Sequence, residues 1–187
     1  MQELRIRSLR MKIAGRFEKV SLTEFSRAIK EQFGKQFDDE TIQKMHANIK
    51  LPKRSTVGSA GYDLFSPLYF YLPSWGDIVI PTGIKVEMND GWFLEIYPRS
   101  GTGMRHYLRI SNVPVIDSDY YGNPKNEGHI MLKLRKESGL RDTSTPTTDV
   151  EFRAGDAYCQ AIFKEFGITS DDSAEGVRTG GFGSTGN

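Results

Sequence analysis

The chain has one cysteine, Cys159, in 187 residues. No internal disulfide can form, and no Cys pair has metal-ligand spacing. Its three histidines, His46, His106 and His129, are too scattered to suggest a zinc site. No run of about 18 apolar residues occurs, so no membrane span is expected. A basic stretch leading into an apolar core is also missing from the N-terminus, so no secretory leader is expected. Neither sign of charge dominates: 25 Lys and Arg face 24 Asp and Glu, for a net charge of +1. Binding to nucleic acid by bulk charge is therefore not expected. What remains is an ordinary globular mixture, 26% charged and 37% hydrophobic. The length fits one domain able to bury roughly 70% of its unfolded surface without covalent staples. A reducing, cytoplasmic compartment is the default for such a chain.

Residues 1–47 differ in texture from the rest. Arg5, Arg7, Arg10, Lys12, Arg16 and Lys19 make the first stretch basic, which reads as a solvated arm, and Met11 is a second candidate start. Ser21-Leu22-Thr23-Glu24 matches a capping box. Leu22, Phe25, Ile29 and Phe33 follow at helical spacing, and Gly34 stops the run. A second helix is expected from Asp38 or Asp39, with Ile42, Met45 and Ile49 on one face. Residues 1–47 thus read as a basic, helical extension.

From Ile49 onward the pattern is β. Ile84, Val86 and Met88 alternate with Lys85 and Glu87. Asn89-Asp90-Gly91 then turns the chain into Trp92–Tyr97. Ile130, Leu132 and Leu134 form a second period-2 set, and Ala157, Cys159, Ala161 and Phe163 a third. Residues 48–166 read as one mainly β domain, a sandwich or barrel. Residues 136–149 suit an exposed loop, and 167–187 a flexible, Gly-rich C-terminal arm.

Several segments carry chemistry. The tail Gly180–Asn187 can turn backbone N–H groups toward an anion, with Ser184 and Thr185 adding donors. It is not a Walker A loop, because Asn187 stands where the Lys belongs. Phe182 is a lone aromatic with something to cover; a disordered tail is the competing reading. Pro98-Arg99-Ser100-Gly101, ending a strand, suits a compact oxyanion clamp or an ordinary turn with solvated cations. Val115–Gly122 sets Asp117 and Asp119 on one face of an expected strand, beside Tyr120 and Tyr121; one carboxylate there can activate a water, or both can simply decorate a hairpin tip. Ala60–Leu64 and Gly155–Phe163 each pass singly as strand plus turn.

Together and in this order, these segments resemble the five ordered motifs of the trimeric dUTP pyrophosphatase (dUTPase) family. The first is Ala60–Leu64, the second Pro98–Gly101, the third Val115–Gly122, the fourth Gly155–Phe163 and the fifth Arg178–Gly186. The resemblance covers residues 48–187. It implies a distorted jelly roll of the β-clip kind, a homotrimer with shared sites, and Mg²⁺-dependent hydrolysis of dUTP to dUMP and pyrophosphate. Motifs one, two and four would come from one subunit, the third from another and the fifth from the remaining one. The activity lowers dUTP and supplies dUMP for thymidylate synthesis.

By the same resemblance, Asp117 is the catalytic carboxylate. Asn112, Val115, Ile116 and the hairpin 112–120 form the uracil pocket, and Tyr120 lies beneath the deoxyribose, where a 2′-hydroxyl would clash. Arg99, Ser100, Gly101 and Gln160 meet the phosphates, and Asp63 supports the site. Phe182 and Gly183 cover the base, while Arg178, Ser184 and Thr185 clamp the γ-phosphate. No side chain is expected to bind the metal directly; the triphosphate and waters would hold Mg²⁺. The chain departs from the family pattern at Pro114, which replaces a Gly, at Arg178, which stands one residue closer to Phe182, and at Pro124–Glu127, an apparent insertion. A dCTP deaminase, alone or bifunctional, is the alternative enzyme on a similar fold. A regulatory protein-binding module on a dUTPase scaffold is the alternative of another class.

Overall fold

The computed structural model describes residues 12–73, 76–112, 115–137, 149–176, 178 and 180. Helix α1 spans Leu22–Phe33, and its N-cap Ser21 accepts the Glu24 N–H at 3.1 Å. Phe25, Ala28 and Ile29 are buried, and Gly34 ends the helix at φ 60°. Helix α2, Asp39–Ala47, starts from N-cap Asp38, whose carboxylate accepts the Thr41 N–H at 2.8 Å. Both starts follow the capping rule, since a side-chain oxygen satisfies an orphan N–H of the first turn.

The helical reading of residues 1–47 omits a strand. Strand β1, Gly15–Lys19, pairs antiparallel with β6, Ile84–Met88, from Gly15↔Met88 to Lys19↔Ile84. Of the charges that resemble a solvated arm, Arg16 is a cross-strand partner, pairing with Glu87 at 2.5 Å, while Arg5, Arg7 and Arg10 lie outside the described residues. Gly15 allows the approach, for a Cβ there would lie 2.2 Å from the Glu87 carbonyl oxygen.

The other strands form three antiparallel groups. Strand β5 (Asp77–Pro81), β10 (Met131–Lys136) and β8 (Leu108–Ile110) make a sheet in the order β5-β10-β8. Strand β4 (Phe70–Leu72) pairs with β11 (Val150–Phe152). The largest sheet has five strands: β2 (Lys53–Arg54), β3 (Tyr62–Phe65), β12 (Ala157–Glu165), β7 (Trp92–Pro98) and β9 (Val115–Ile116), in that order.

Two further elements depart from the expectations. Ser100–His106 is a short helix, α3, where a turn was expected; Tyr107 closes it in the left-handed region at φ 51°. The strands flanking residues 112–120 do not pair with each other as those of the expected hairpin would. Strand β8 joins β10 and β9 joins β7, so the flanking strands belong to different sheets. Ser118–Tyr120 is a 3₁₀ turn rather than a strand. Its three residues tighten into local i→i+3 bonding, Tyr120 N–H donating to the Asp117 carbonyl at 3.2 Å.

One apolar cluster joins Val20, Phe25, Ile29 and Ile42 to Ile84, Leu94, Ile96 and Leu132. The helices therefore pack on the β body. Burying Phe25 alone contributes about 2–3 kcal/mol. No helix among the described residues is long and apolar enough to cross a membrane.

Two buried polar groups shape stability. The Tyr158 hydroxyl is buried among Phe70 and Phe152 with no hydrogen-bond partner among the described residues. Tyr158→Phe removes this unmet group, and we expect stabilisation of about 1 kcal/mol. Calorimetry checks it: Tm rises by about 2–4 °C, and a fall in Tm contradicts the assignment. Glu24 is the second. Burial opposes its charge, but hydrogen bonds from His129 and Arg27 outweigh burial and hold the carboxyl at about 2, against an ordinary 4.5. A depressed carboxyl pKa stabilises the fold above the unfolded value. That contribution is lost as pH falls from about 4.5 toward 2. Acid titration of Glu24→Gln should flatten the loss across that window.

Candidate functional site

The sequence-predicted residues gather in two groups. The first lies on the five-stranded sheet. Gln160 in β12 stands opposite Asp63 on one side and Tyr97 on the other, so the three share a face. Arg99 follows the end of β7 and pairs with Asp63 at 2.9 Å. The second Asp63 oxygen accepts the Ser55 hydroxyl at 2.8 Å. Gly61 makes room for the Gln160 amide, for a Cβ there would lie 2.5 Å from its oxygen. Ser100 and Gly101 open α3 directly after Arg99. Motifs one, two and four are thus one constellation, with a cation, a fixed carboxylate and an amide side by side. Ser55 escaped the sequence reading; it carries no motif signal and is found only through its hydroxyl's contact.

The second group surrounds the 3₁₀ turn. Arg178 bridges both carboxylates, pairing with Asp117 and, at 2.9 Å, with Asp119. Its guanidinium lies over the Tyr120 ring, 5.8 Å from the centroid. Tyr120 is buried, and its hydroxyl accepts from the Asn126 amide at 2.6 Å and donates to the His129 carbonyl at 3.3 Å. Burial raises the pKa of that hydroxyl, which keeps it protonated. The Asn123 amide holds the Gly180 carbonyl at 2.9 Å. Arg178 and Gly180 of the fifth motif therefore lie against the third motif of their own chain. Arg178 was expected among phosphates; here two carboxylates balance it.

Asn112 has its side chain committed. Its amide donates to the Met131 carbonyl and accepts the Lys133 N–H, each at 2.9 Å. It extends the β8–β10 pairing past the strand end. Ile116 is buried and Val115 half-buried, both paired with β7. Phe182, Gly183, Ser184 and Thr185 lie outside the described residues, as do Val113 and Pro114. Cys159 is buried within the sheet's central strand β12, and burial pushes its thiol up, away from reactivity.

The two groups stand at opposite ends of β7. Ile116 is level with Leu94, so Asp117 lies toward the start of the strand, whereas Arg99 lies beyond its end. Along an extended strand that separation is about 20 Å. One chain does not bring Asp117 to Arg99.

Element order and pairing define a mainly β protein with the distorted jelly-roll architecture. A family model described as dUTPase matches residues 47–132. The deoxyuridine 5'-triphosphate nucleotidohydrolase of Lactococcus lactis is 39% identical over 146 residues, 75% of this chain and 91% of that protein. Its counterpart in Wolinella succinogenes is 32% identical over 153 residues, covering 78% and 92%. The crystal structure of dUTPase from Streptococcus mutans aligns with a TM-score of 0.57 at 30% identity, over 82% of this chain and 98% of that one. A mutant dUTPase from phage phi11 of S. aureus shares the fold, with a TM-score of 0.54 at 20% identity over 69% of this chain and 92% of that one; its structure describes coordination of a structural Mg(II) ion. The chain belongs to the dUTPase family.

Proposed function

We propose that this protein hydrolyses dUTP to dUMP and pyrophosphate, with the site shared between copies in a homotrimer. The observation that carries the reading is the pairing of two incomplete groups. Asp63, Arg99 and Gln160 form a phosphate-facing half, and Asp117 with Tyr120 forms a reacting half, about 20 Å away along β7. A second copy meets the first so that the two halves face each other. Symmetric assemblies join unlike patches of identical chains in this way.

In the reaction, Asp117 orients a water and takes its proton as the water oxygen bonds to the α-phosphorus. The bond from that phosphorus to the α,β-bridging oxygen breaks, and pyrophosphate leaves with the electron pair. Tyr120 lies against the deoxyribose. Asn112 and the backbone of Val115 and Ile116 form the uracil pocket. Arg99, Ser100, Gly101 and Gln160 take the phosphates, and Asp63 keeps Arg99 aimed. Phosphate competes with Asp117 and Asp119 for Arg178, so substrate draws this cation off the catalytic carboxylate. Phe182, Gly183, Ser184 and Thr185 close over base and phosphates. The chain works in the cytoplasm, lowering dUTP and supplying dUMP.

The carboxylates present suit Mg²⁺. Asp63 already serves Arg99 and Ser55, and Asp117 and Asp119 share one guanidinium. Such hard oxygen donors, few and partly engaged, fit an ion that keeps waters and phosphate oxygens as its main ligands. When bound, it neutralises charge on the triphosphate.

Asp117→Asn is expected to lower kcat about 10²–10⁴-fold while dUTP binding, followed by calorimetry, persists; retained turnover removes Asp117 from its role. The shared site has a sharper test. Arg99→Ala and Asp117→Asn chains, each inactive alone, are unfolded together and refolded as a mixture. About a quarter of the sites then combine an intact Arg99 with an intact Asp117, and activity returns. A mixture no more active than its parents means that the site is not shared in this way.

A further inference from the structure

The segment before the matched family region grips the third motif and the loop after it at three points. The Tyr121 hydroxyl donates to Glu18 in β1 at 2.8 Å. Glu127 accepts the Ser21 backbone N–H at 3.0 Å and also the Ser21 hydroxyl. Glu24 in α1 pairs with the Nδ1 of His129 at 2.9 Å. Glu18, Ser21 and Glu24 thus reach Tyr121, Glu127 and His129, which bracket the loop that wraps Tyr120.

This grip replaces a local one. In a full capping box the Glu24 carboxylate would turn back to the Ser21 N–H. Glu127 takes that N–H instead, leaving Glu24 to face His129. The His129 tautomer follows: Nε2 accepts the Gly83 N–H at 2.8 Å, so Nδ1 carries the proton and donates to Glu24. Gly83 also accepts the Val20 N–H at 3.0 Å, which closes the ring between β1, α1 and the loop.

From the loop the chain of contacts runs to Tyr120. The His129 carbonyl and the Asn126 amide hold its hydroxyl. Gly128 passes so close that a Cβ would sit 2.5 Å from the Tyr120 carbonyl oxygen. Glu127 itself has φ 59°, a conformation disfavoured for this residue type. Ser21 and Lys85 hold it there, Lys85 at 3.0 Å. A strained backbone persists where the surroundings over-determine it.

We propose that Ser21 and Glu24 are positioning residues: through Glu127 and His129 of the 123–129 loop they fix the Tyr120 ring and so set discrimination between deoxyribose and ribose triphosphates. This rests on the proposed dUTPase reading, in which Tyr120 meets the sugar. A ring free to move by even a fraction of an ångström loses its clash with a 2′-hydroxyl.

The experiment compares Glu24→Gln, Ser21→Ala and Glu127→Gln with Asp38→Ala, which removes the α2 cap and touches none of these contacts. Turnover of dUTP and UTP is measured well below each Tm, together with amide hydrogen exchange over residues 120–130. In the first three variants, UTP kcat/KM relative to dUTP should rise about tenfold, with faster exchange in the loop. Asp38→Ala should leave both unchanged. Should Glu24→Gln not fold, the other two variants carry the comparison. An unchanged ratio overturns the proposal even if exchange quickens, since the contacts are then merely structural. An equal rise in Asp38→Ala also overturns it, as general loosening. A wild-type chain that turns over neither nucleotide sinks the reading of the reaction; exchange then decides the brace alone, and unaltered exchange overturns it.

Discussion

The length of one strand governs this molecule. Strand β7 carries Arg99 just past its C-terminal end and, through its pairing with β9, Asp117 near its beginning. Backbone hydrogen bonds to β12 and β9 fix that register, and β12 pairs with β7 over seven residues from Cys159↔Pro98 to Glu165↔Trp92. A slip by one residue would turn every side chain to the opposite face. The strand is therefore a rigid spacer between the Asp63–Arg99–Gln160 group and the Asp117 turn. Its pairing on both sides keeps Asp117 and Arg99 of one chain apart.

Charge explains why each half is held as it is. Asp117 and Asp119 lie two residues apart, and their mutual repulsion would splay an exposed turn. Arg178 neutralises both and covers the Tyr120 face, so turn, ring and cation form one unit. On the other half, Asp63 holds Arg99 while Ser55 occupies the remaining carboxylate oxygen. Each cation has a carboxylate partner, which avoids leaving a partly buried charge unmatched.

Much of this was legible in the residues. Alternation marks β6, β7 and the core of β12, and Ser21 and Asp38 mark the helix starts, because period and capping are local properties. The five motifs locate Asp63, Arg99, Asp117 and Gln160. Strand β1 was hidden because its Arg16 and Glu18 look like surface charge until Glu87 and Tyr121 come beside them. Helix α3 was hidden by Gly101 and Gly103, which weaken helical propensity. The 3₁₀ turn at Ser118–Tyr120 was read as strand because Val115 and Ile116 precede it. Ser55, Asn126 and His129 carry no motif, and their parts depend on contacts from distant segments. Patterns report what a residue does with its neighbours in sequence; they are silent on partners a hundred positions away.

Glu24 shows how such a long-range partner reshapes a local rule. The sequence offers a self-contained capping box, and half of it forms, with Ser21 accepting the Glu24 N–H. The other half is surrendered. Glu127, from the loop after the third motif, supplies the missing acceptor. The exchange leaves the cap satisfied and directs a buried carboxylate to His129 and Arg27. Nothing in helix stability alone favours that, since the local box would satisfy the same N–H. What it adds is a connection between the first helix and the backbone that carries Tyr120. The 123–129 loop and the N-terminal segment therefore make sense as one device: Glu127 caps the first helix, Glu24 in return holds His129, and the tyrosine stands between them.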